Sequence, residues 1–360
     1  MMRLDGVRDE SCGFCYRPSP ASASIPAGRS PMRPRTIILP LAIVGLAIAG
    51  WSGVWAWGSN RAEDAVQRWL AAEAANGRVI QCGERARGGY PFRMEITCSK
   101  PMVELRDEAR PYQTYRFETL KVVSQIWSPG HVISEWTGPM TVVTEGDPSV
   151  TTATWRLAQA SAQLQIGGYD SSNAVIDGLE VVRDGVVLVK AARSELHTRP
   201  NRTDPVSVDV VASLKQATFA ARPMAPVDAE IQFVARKLLR TPSRPQVLPV
   251  RQWMAAGGAV DLVLLRLVQG PALAVAKGSL RLTPEGKPDG EIELRVANVE
   301  AALQQTGLGA TLGPLAAGAM TMASRPTEVE GKPGRIFTLR AADGRLQVGP
   351  LRIGLPTIVP

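Results

Sequence analysis

The sequence is poor in the side chains on which most enzymes depend. Among 360 residues there are 2 His and 4 Cys, and aromatics make up only 5%. So few imidazoles and thiols weaken the case for a zinc, haem or iron–sulfur centre. They also leave little material for His-dependent acid–base catalysis. His131 follows Pro129-Gly130, a pair that reads as a turn, and His197 lies in a run that reads as the end of a strand. There is no G-x-S-x-G elbow, no H-E-x-x-H, no glycine-rich phosphate loop and no EF-hand loop. No catalytic residue, metal ligand or cofactor is assigned on this basis. A hydrolase built on two unmarked carboxylates is a third-ranked reading, because such pairs need no motif.

Lysine is scarce too. Of 41 basic residues only 8 are Lys, and the arginines are scattered among acids rather than gathered into a stripe or tail. A nucleic-acid-binding chain concentrates its positive charge, so nucleic acid is excluded as a partner. The formal net charge of +8 divides into +3 over residues 1–35 and +5 over all the rest.

One long apolar run is present. Residues 36–57, TIILPLAIVGLAIAGWSGVWAW, carry no charge, and about 20 apolar residues span a bilayer core as a helix. Arg29, Arg33 and Arg35 precede the run, while Arg61 beyond it is offset by Glu63 and Asp64. The positive-inside bias therefore predicts a cytoplasmic N-terminus and export of everything after Trp57. Trp51, Trp55 and Trp57 would form an interfacial aromatic belt at the exit end. A cleaved signal with Ala47-Ile48-Ala49 as its small-x-small site is the rival reading; the hydrophobicity that continues to Trp57 favours an anchor. Residues 1–35 read as a disordered cytoplasmic tail, with Met32 a compact alternative start. The lone Cys12-x-x-Cys15 in that tail lacks the second ligand pair that a metal site needs.

Residues 58–360 read as an exported domain. A helix is predicted over about 60–76, with Ser59 or Asn60 as its cap and Gly77 as its stop. Ala62, Val66, Trp69, Leu70 and Ala74 share one face, which is expected to lie on the first sheet. Cys82 and Cys98, on the exported side, form an even pair in an oxidising compartment and are predicted to be disulfide-bonded. By loop entropy such a bridge is worth on the order of 3 kcal/mol.

Beyond Pro101, apolar and polar residues alternate, as at Val206–Val210, Leu280–Thr283 and Glu291–Val296. Asp184-Gly185 and Asp343-Gly344 are predicted hairpin turns, and Asp289-Gly290 a further turn. Helices are expected at 227–239, near 252–256 and at 298–305. The strand around AVDLVLLRLV is apolar on both faces. Strict alternation puts Val260, Leu262, Leu264 and Val268 on one side and Val263, Leu265 and Leu267 on the other. Such a strand is either covered on both faces or lines an apolar cavity. Val260, Leu262, Val263, Leu264, Leu265 and Leu267 are therefore candidate lipid-facing residues. Arg236, Lys237, Arg240, Arg244 and Arg251 form an acid-free stretch that could meet anionic headgroups.

Gly89-Tyr90-Pro91-Phe92-Arg93, the downstream Cys98 and an apolar segment followed by a helix together resemble the domain of unknown function 2125 family of proteobacterial envelope proteins. The closing DGRLQVGPLRIGLP and the hairpin GSLRLTPEGKPDGEIELRV resemble, more weakly, the repeated strands of AsmA-like envelope proteins. The resemblance implies an inner-membrane-anchored periplasmic domain whose curved sheet holds lipid on an apolar concave face. Gly89 would supply a positive-φ turn, Pro91 would stiffen the start of the strand and Phe92 would pack inward.

The sequence thus predicts a mainly β protein with a few helices (α+β). A long curved antiparallel sheet forms a groove and is preceded by one transmembrane helix. Its expected partner is membrane lipid or another acyl-chain ligand. The alternative is a non-enzymatic scaffold or assembly factor with an envelope protein partner.

Overall fold

The computed structural model describes residues 34–107, 110–165, 168–219, 225–241, 247–306, 318, 322, 324–349 and 351–355. The N-terminal tail with Cys12 and Cys15, and the loop carrying Arg244, lie outside the described residues. Two units divide the chain, Met1–Gly50 and Trp51–Pro360.

Helix α1 covers Pro34–Ala75. The apolar run and the helix expected at 60–76 are therefore one element. Ser59 and Asn60 sit inside it and cap nothing: Gly58-Ser59-Asn60 is poor in helix formers, yet the helix runs through it without a break. Gly77, with φ 77°, ends the helix as expected. From Ile38 onward α1 is long and apolar enough to cross a membrane.

The remainder is β-rich. The first strands are β1 (Arg78–Gln81), β2 (Glu84–Gly88), β3 (Arg93–Ser99), β4 (Met102–Asp107), β5 (Arg110–Arg116) and β6 (Thr119–Gln125). They are followed by β7 (Ser128–Thr137), β8 (Met140–Thr144), β9 (Val150–Thr154), β10 (Leu157–Gln165), β11 (Gly168–Arg183) and β12 (Val186–Pro200). Next come β13 (Val208–Phe219), β14 (Val227–Arg236), α2 (Val250–Ala255), β15 (Ala259–Gln269), β16 (Ala272–Leu282) and β17 (Pro288–Ala297). The chain closes with α3 (Val299–Thr306), β18 (Arg325–Val329), β19 (Lys332–Ala342), β20 (Arg345–Val348) and β21 (Leu351–Gly354). Among the described residues all 21 strands pair into one sheet, and every pairing is antiparallel.

The N-terminal part of this sheet forks at β11. Its first half pairs with β10, from Gln165↔Gly168 to Leu157↔Asp177. Its second half pairs with β9, from Glu180↔Thr154 to Arg183↔Thr151. Gly178, at φ 66°, lies between the halves. One leaf therefore runs β2–β3–β6–β7–β10 and the other β1–β4–β5–β8–β9. Short corners carry the chain between them. Pro101 is fully buried at one corner, and Phe117 packs on Trp136 at 4.9 Å. Trp155 donates its indole N–H to the Trp136 carbonyl at 2.8 Å. Beyond β11 the strands follow in sequence order to β17, and β19 closes on β17.

Hairpins at Asp184-Gly185 and Asp343-Gly344 form as the sequence predicts, with positive φ at both residues of each turn. Glu330-Gly331 makes a third such turn, between β18 and β19. Asp289-Gly290 is not a turn; it lies within β17, and the chain reverses at 283–287, where the Thr283 N–H donates to the Lys287 carbonyl. The expected helix at 227–239 is instead strand β14. VDAEIQFVAR alternates at period two, and both neighbours offer complementary ladders, which override the helix propensity of Ala, Glu and Gln. The helices near 252–256 and 298–305 are α2 and α3.

Candidate functional site

The register builds one apolar face across the sheet. From β3, directly opposed residues run Ile96, Val122, Ser134, Ala160, Ala174, Leu196, Ala212, Ile231, Leu265, Ala276, Leu294 and Phe337, ending in β19. Cross-strand partners point to the same side, so this is one row on one face. Ser134 is its only polar member, and its hydroxyl accepts from the Trp136 indole at 3.2 Å. The row one residue along each strand points the other way. It reads Thr97, Lys121, Glu135, Gln159, Val175, Glu195, Ser213, Glu230, Arg266, Val275, Arg295 and Ile336. Twelve strands about 4.8 Å apart make the apolar row roughly 50 Å long, measured along the sheet.

Holding that face together through β15 requires a bulge. Against β16, Leu262 faces Gly278 and Leu265 faces Ala276, so Val263 and Leu264 share one position. Against β14, Phe233 faces Leu262 and Gln232 faces Leu264, which leaves Val263 unpaired. The strict alternation expected from sequence is thereby corrected. Val260, Leu262, Leu265 and Leu267 share the apolar face; Leu264 and Val268 lie with Asp261 and Arg266 on the polar one. Val263 is 57% exposed. One extra residue, of the kind a β-bulge inserts, accounts for a strand that looked apolar on both sides.

Cover over the apolar row is uneven. At the C-terminal end Phe337 is 4% exposed, packed with Val296 and Val348 beneath Val299 and Ala302 of α3. Mid-sheet, Leu196 is 42% exposed. At the N-terminal end Val66, Trp69 and Leu70 of α1 face Ile96, Val122 and Trp136 of one leaf and Ile80 and Val103 of the other. They enclose a cavity of about 320 Å³. A second cavity of about 190 Å³ opens over Ala160, Ala162, Ala174 and Leu196, and it shares Val132 and Ser134 with the first. Alanines leave the space here: opposing large residues would fill it, whereas methyl groups do not. The Cys82–Cys98 disulfide, with Cα atoms 5.6 Å apart, lines the first cavity and ties the start of one leaf to β3 of the other.

The polar face is self-satisfied. Arg193 bonds Asp177 at 3.0 Å and Glu195 at 2.6 Å, and Arg266 grips Glu330 with two bonds of 2.8 Å. The guanidinium groups hold the Glu195 and Glu330 carboxyls below the usual range. Asp228 is lowered as well, chiefly by accepting the backbone N–H of Gln216 at 2.7 Å. His197 contacts the Asn173 side chain through Nδ1 at 2.8 Å on this same face, in line with Glu195 and Arg193. Among the described residues no three His, Cys, Asp or Glu side chains gather at one point.

The basic stretch is engaged within the protein. Arg236 pairs with Asp261 at 2.5 Å, Lys237 bonds the Ala256 carbonyl at 3.0 Å, and Arg240 reaches Gln252 at 3.2 Å. Arg251 is exposed on α2.

The Gly89–Arg93 turn docks on α1. Gly89 adopts φ 92°, and a Cβ there would meet the Arg93 carbonyl at 2.6 Å. Trp51 and Trp55 donate their indole N–H groups to the carbonyls of Pro91 and Arg93, each at 2.8 Å. The Tyr90 hydroxyl meets Ser52 Oγ at 2.9 Å. Phe92 does not pack inward as expected. It is 56% exposed between Trp51 and Trp127, because residues 90–92 form a turn held against α1 and not part of a strand.

These features define an open-sheet β protein with one apolar face and an N-terminal helix that fits a single-pass membrane anchor. Within that class the chain belongs to the DUF2125 family, described as an uncharacterized protein conserved in bacteria, which matches residues 55–355. No curated protein and no solved structure matches the chain.

Proposed function

We propose that this protein is a non-enzymatic envelope component that binds or shields lipid acyl chains on the apolar face of its sheet. The apolar row from Ile96 to Phe337 carries this reading. At roughly 50 Å it exceeds the bilayer hydrocarbon core of about 30 Å. Among the described residues it is uncovered in the middle, at Leu196, whereas on the polar face Arg193 and Arg266 are paired internally. Each methylene moved from water onto such a surface contributes about 0.8 kcal/mol. The anchor would lie in the bacterial inner membrane, with Arg29, Arg33 and Arg35 keeping the N-terminus cytoplasmic and the β-domain periplasmic. The ligand would enter where Ala160 and Ala174 leave room and extend along the row, serving transport or maintenance of envelope lipid.

Native mass spectrometry of the detergent-extracted full chain tests this. Acyl lipid should remain bound, and Ala160→Trp or Ala174→Trp, which fill the second cavity, should lower occupancy about tenfold, equivalent to about 1.4 kcal/mol. A folded wild-type protein that carries no lipid overturns the reading.

A protein-binding scaffold is the second reading. It is favoured by β21, whose single recorded partner is β20, leaving one edge of the ladder open among the described residues. Crosslinking in cells that returns one dominant protein partner and no bound lipid would select it.

A further inference from the structure

Three large aromatic side chains from two chain segments stand together outside the sheet. Tyr90 is 51% exposed, Phe92 56% and Trp127, at the tip of the β6–β7 hairpin, 62%. Through Trp51 and Trp55 of α1 they form one patch. Phe92 lies 6.4 Å from the Trp51 ring and 6.2 Å from the Trp127 ring, and Tyr90 meets Trp55 edge-on at 5.5 Å. The Ile126 N–H donates to the Phe92 carbonyl at 3.3 Å, which fixes the hairpin tip beside the turn. This much exposed ring surface is costly in water unless something covers it.

The position of the patch along α1 indicates what covers it. Trp51, Trp55 and Trp57 occupy the last turns of the uncharged run, and Arg61, Glu63 and Asp64 follow within two turns. That is the level at which a spanning helix passes from hydrocarbon into headgroups, where Trp and Tyr are enriched. Three polar handles are satisfied within the patch, those of Trp51 and Trp55 by the turn carbonyls and that of Tyr90 by Ser52. Ring faces are left to meet the environment. Arg61, stacked over Trp57 at 5.6 Å, and the exposed Arg93 add cations suited to anionic headgroups.

We infer that Tyr90, Phe92 and Trp127, docked on Trp51 and Trp55, form a seat by which the β-domain itself rests in the headgroup layer of a phospholipid bilayer. The Gly89–Arg93 turn is then the device that brings the sheet to the membrane surface, separate from any ligand on the apolar row. The inference rests on α1 being a bilayer anchor and does not depend on acyl chains binding the row.

The full chain reconstituted into phosphatidylcholine–phosphatidylglycerol vesicles provides the test. Subtracting the fluorescence of Trp127→Phe from that of the wild type isolates Trp127, the residue farthest in sequence from the helix. Lipids brominated near the headgroup should quench that difference signal at least twofold, and more strongly than lipids brominated near the chain ends. A Trp127 signal untouched by brominated lipid and quenched by aqueous acrylamide overturns the seat. Flotation separates the two levels of failure. A chain that does not float with vesicles removes the anchor and the seat together, whereas a floating chain with a water-exposed Trp127 removes the seat alone.

Discussion

The two faces of the sheet are made from the same strands, one residue apart, and they solve the problem of solubility in opposite ways. The polar face pairs Arg193 with Asp177 and Glu195, Arg236 with Asp261 and Arg266 with Glu330. Among the described residues the apolar face has no such internal partner in its middle, where Leu196 stays exposed, and it is covered only at its ends, by α1 and by α3. A sheet with one satisfied face and one uncovered apolar face has a defined inside even where nothing fills it. That asymmetry is a property of the strand register and of no single residue.

The sharpest way to break the contrast is a charge on each side of the same strand. Ile231→Asp would place an unpaired carboxylate among Ala212 and Leu265. It should cost about 3 kcal/mol in urea unfolding and abolish lipid retention. Glu230→Ala, one residue away on the other face, should stay within about 0.5 kcal/mol. Comparable losses at both sites would show that the faces are not distinct.

A second contrast tests the bulge. Leu265→Ser should lose about 2 kcal/mol, because it removes apolar burial, and Val263→Ser less than about 0.5 kcal/mol. Strict alternation places both residues on the same face and so predicts similar costs; chemical denaturation of the two variants distinguishes the cases.

The smallest expected effect concerns the polar face and pH. The carboxyls of Asp228, Glu195 and Glu330 titrate below their usual range in the folded chain. Each therefore contributes stability that is fully present above the unfolded-state value of about 4 and is lost as pH falls through the lowered folded-state value. Thermal stability should be flat from about pH 7 to 5 and decline below about 4. Asp228→Asn should lower stability at neutral pH by about 1 kcal/mol and shallow that decline. A variant with an unchanged acid profile would remove Asp228 from the account.

Much of the architecture was legible in the residues. Period-two patterns such as Glu291–Val296, the Asp-Gly turns and the uncharged run announce a β-rich chain behind an apolar helix, and Cys82 and Cys98 pair as expected. Other features depended on neighbours. Residues 227–236 alternate cleanly, yet their Ala, Glu and Gln also suit a helix, and only the ladders from β13 and β15 decide. The bulge at Val263 could not be read from β15 alone, since its extra residue shows only against Gln232 and Gly278. Glu330-Gly331 carries no turn signal in the sequence, because Glu seldom occupies a positive-φ turn position. The aromatic patch was half visible. Trp51 and Trp55 stand in the uncharged run, but Trp127 reaches them only through Phe92 and the hairpin that carries it there.

The unpaired residue in β15 also sets where the chain can change length. Removing any regularly paired residue of a strand reverses the orientation of everything beyond it. Removing Val263 would instead leave Leu262 and Leu265 on the side they already occupy, with Leu264 alone opposite Lys277. The strand thus contains one position at which a codon can be lost without scrambling the inside and outside of the sheet. A family in which strand lengths drift would be expected to place its gaps there.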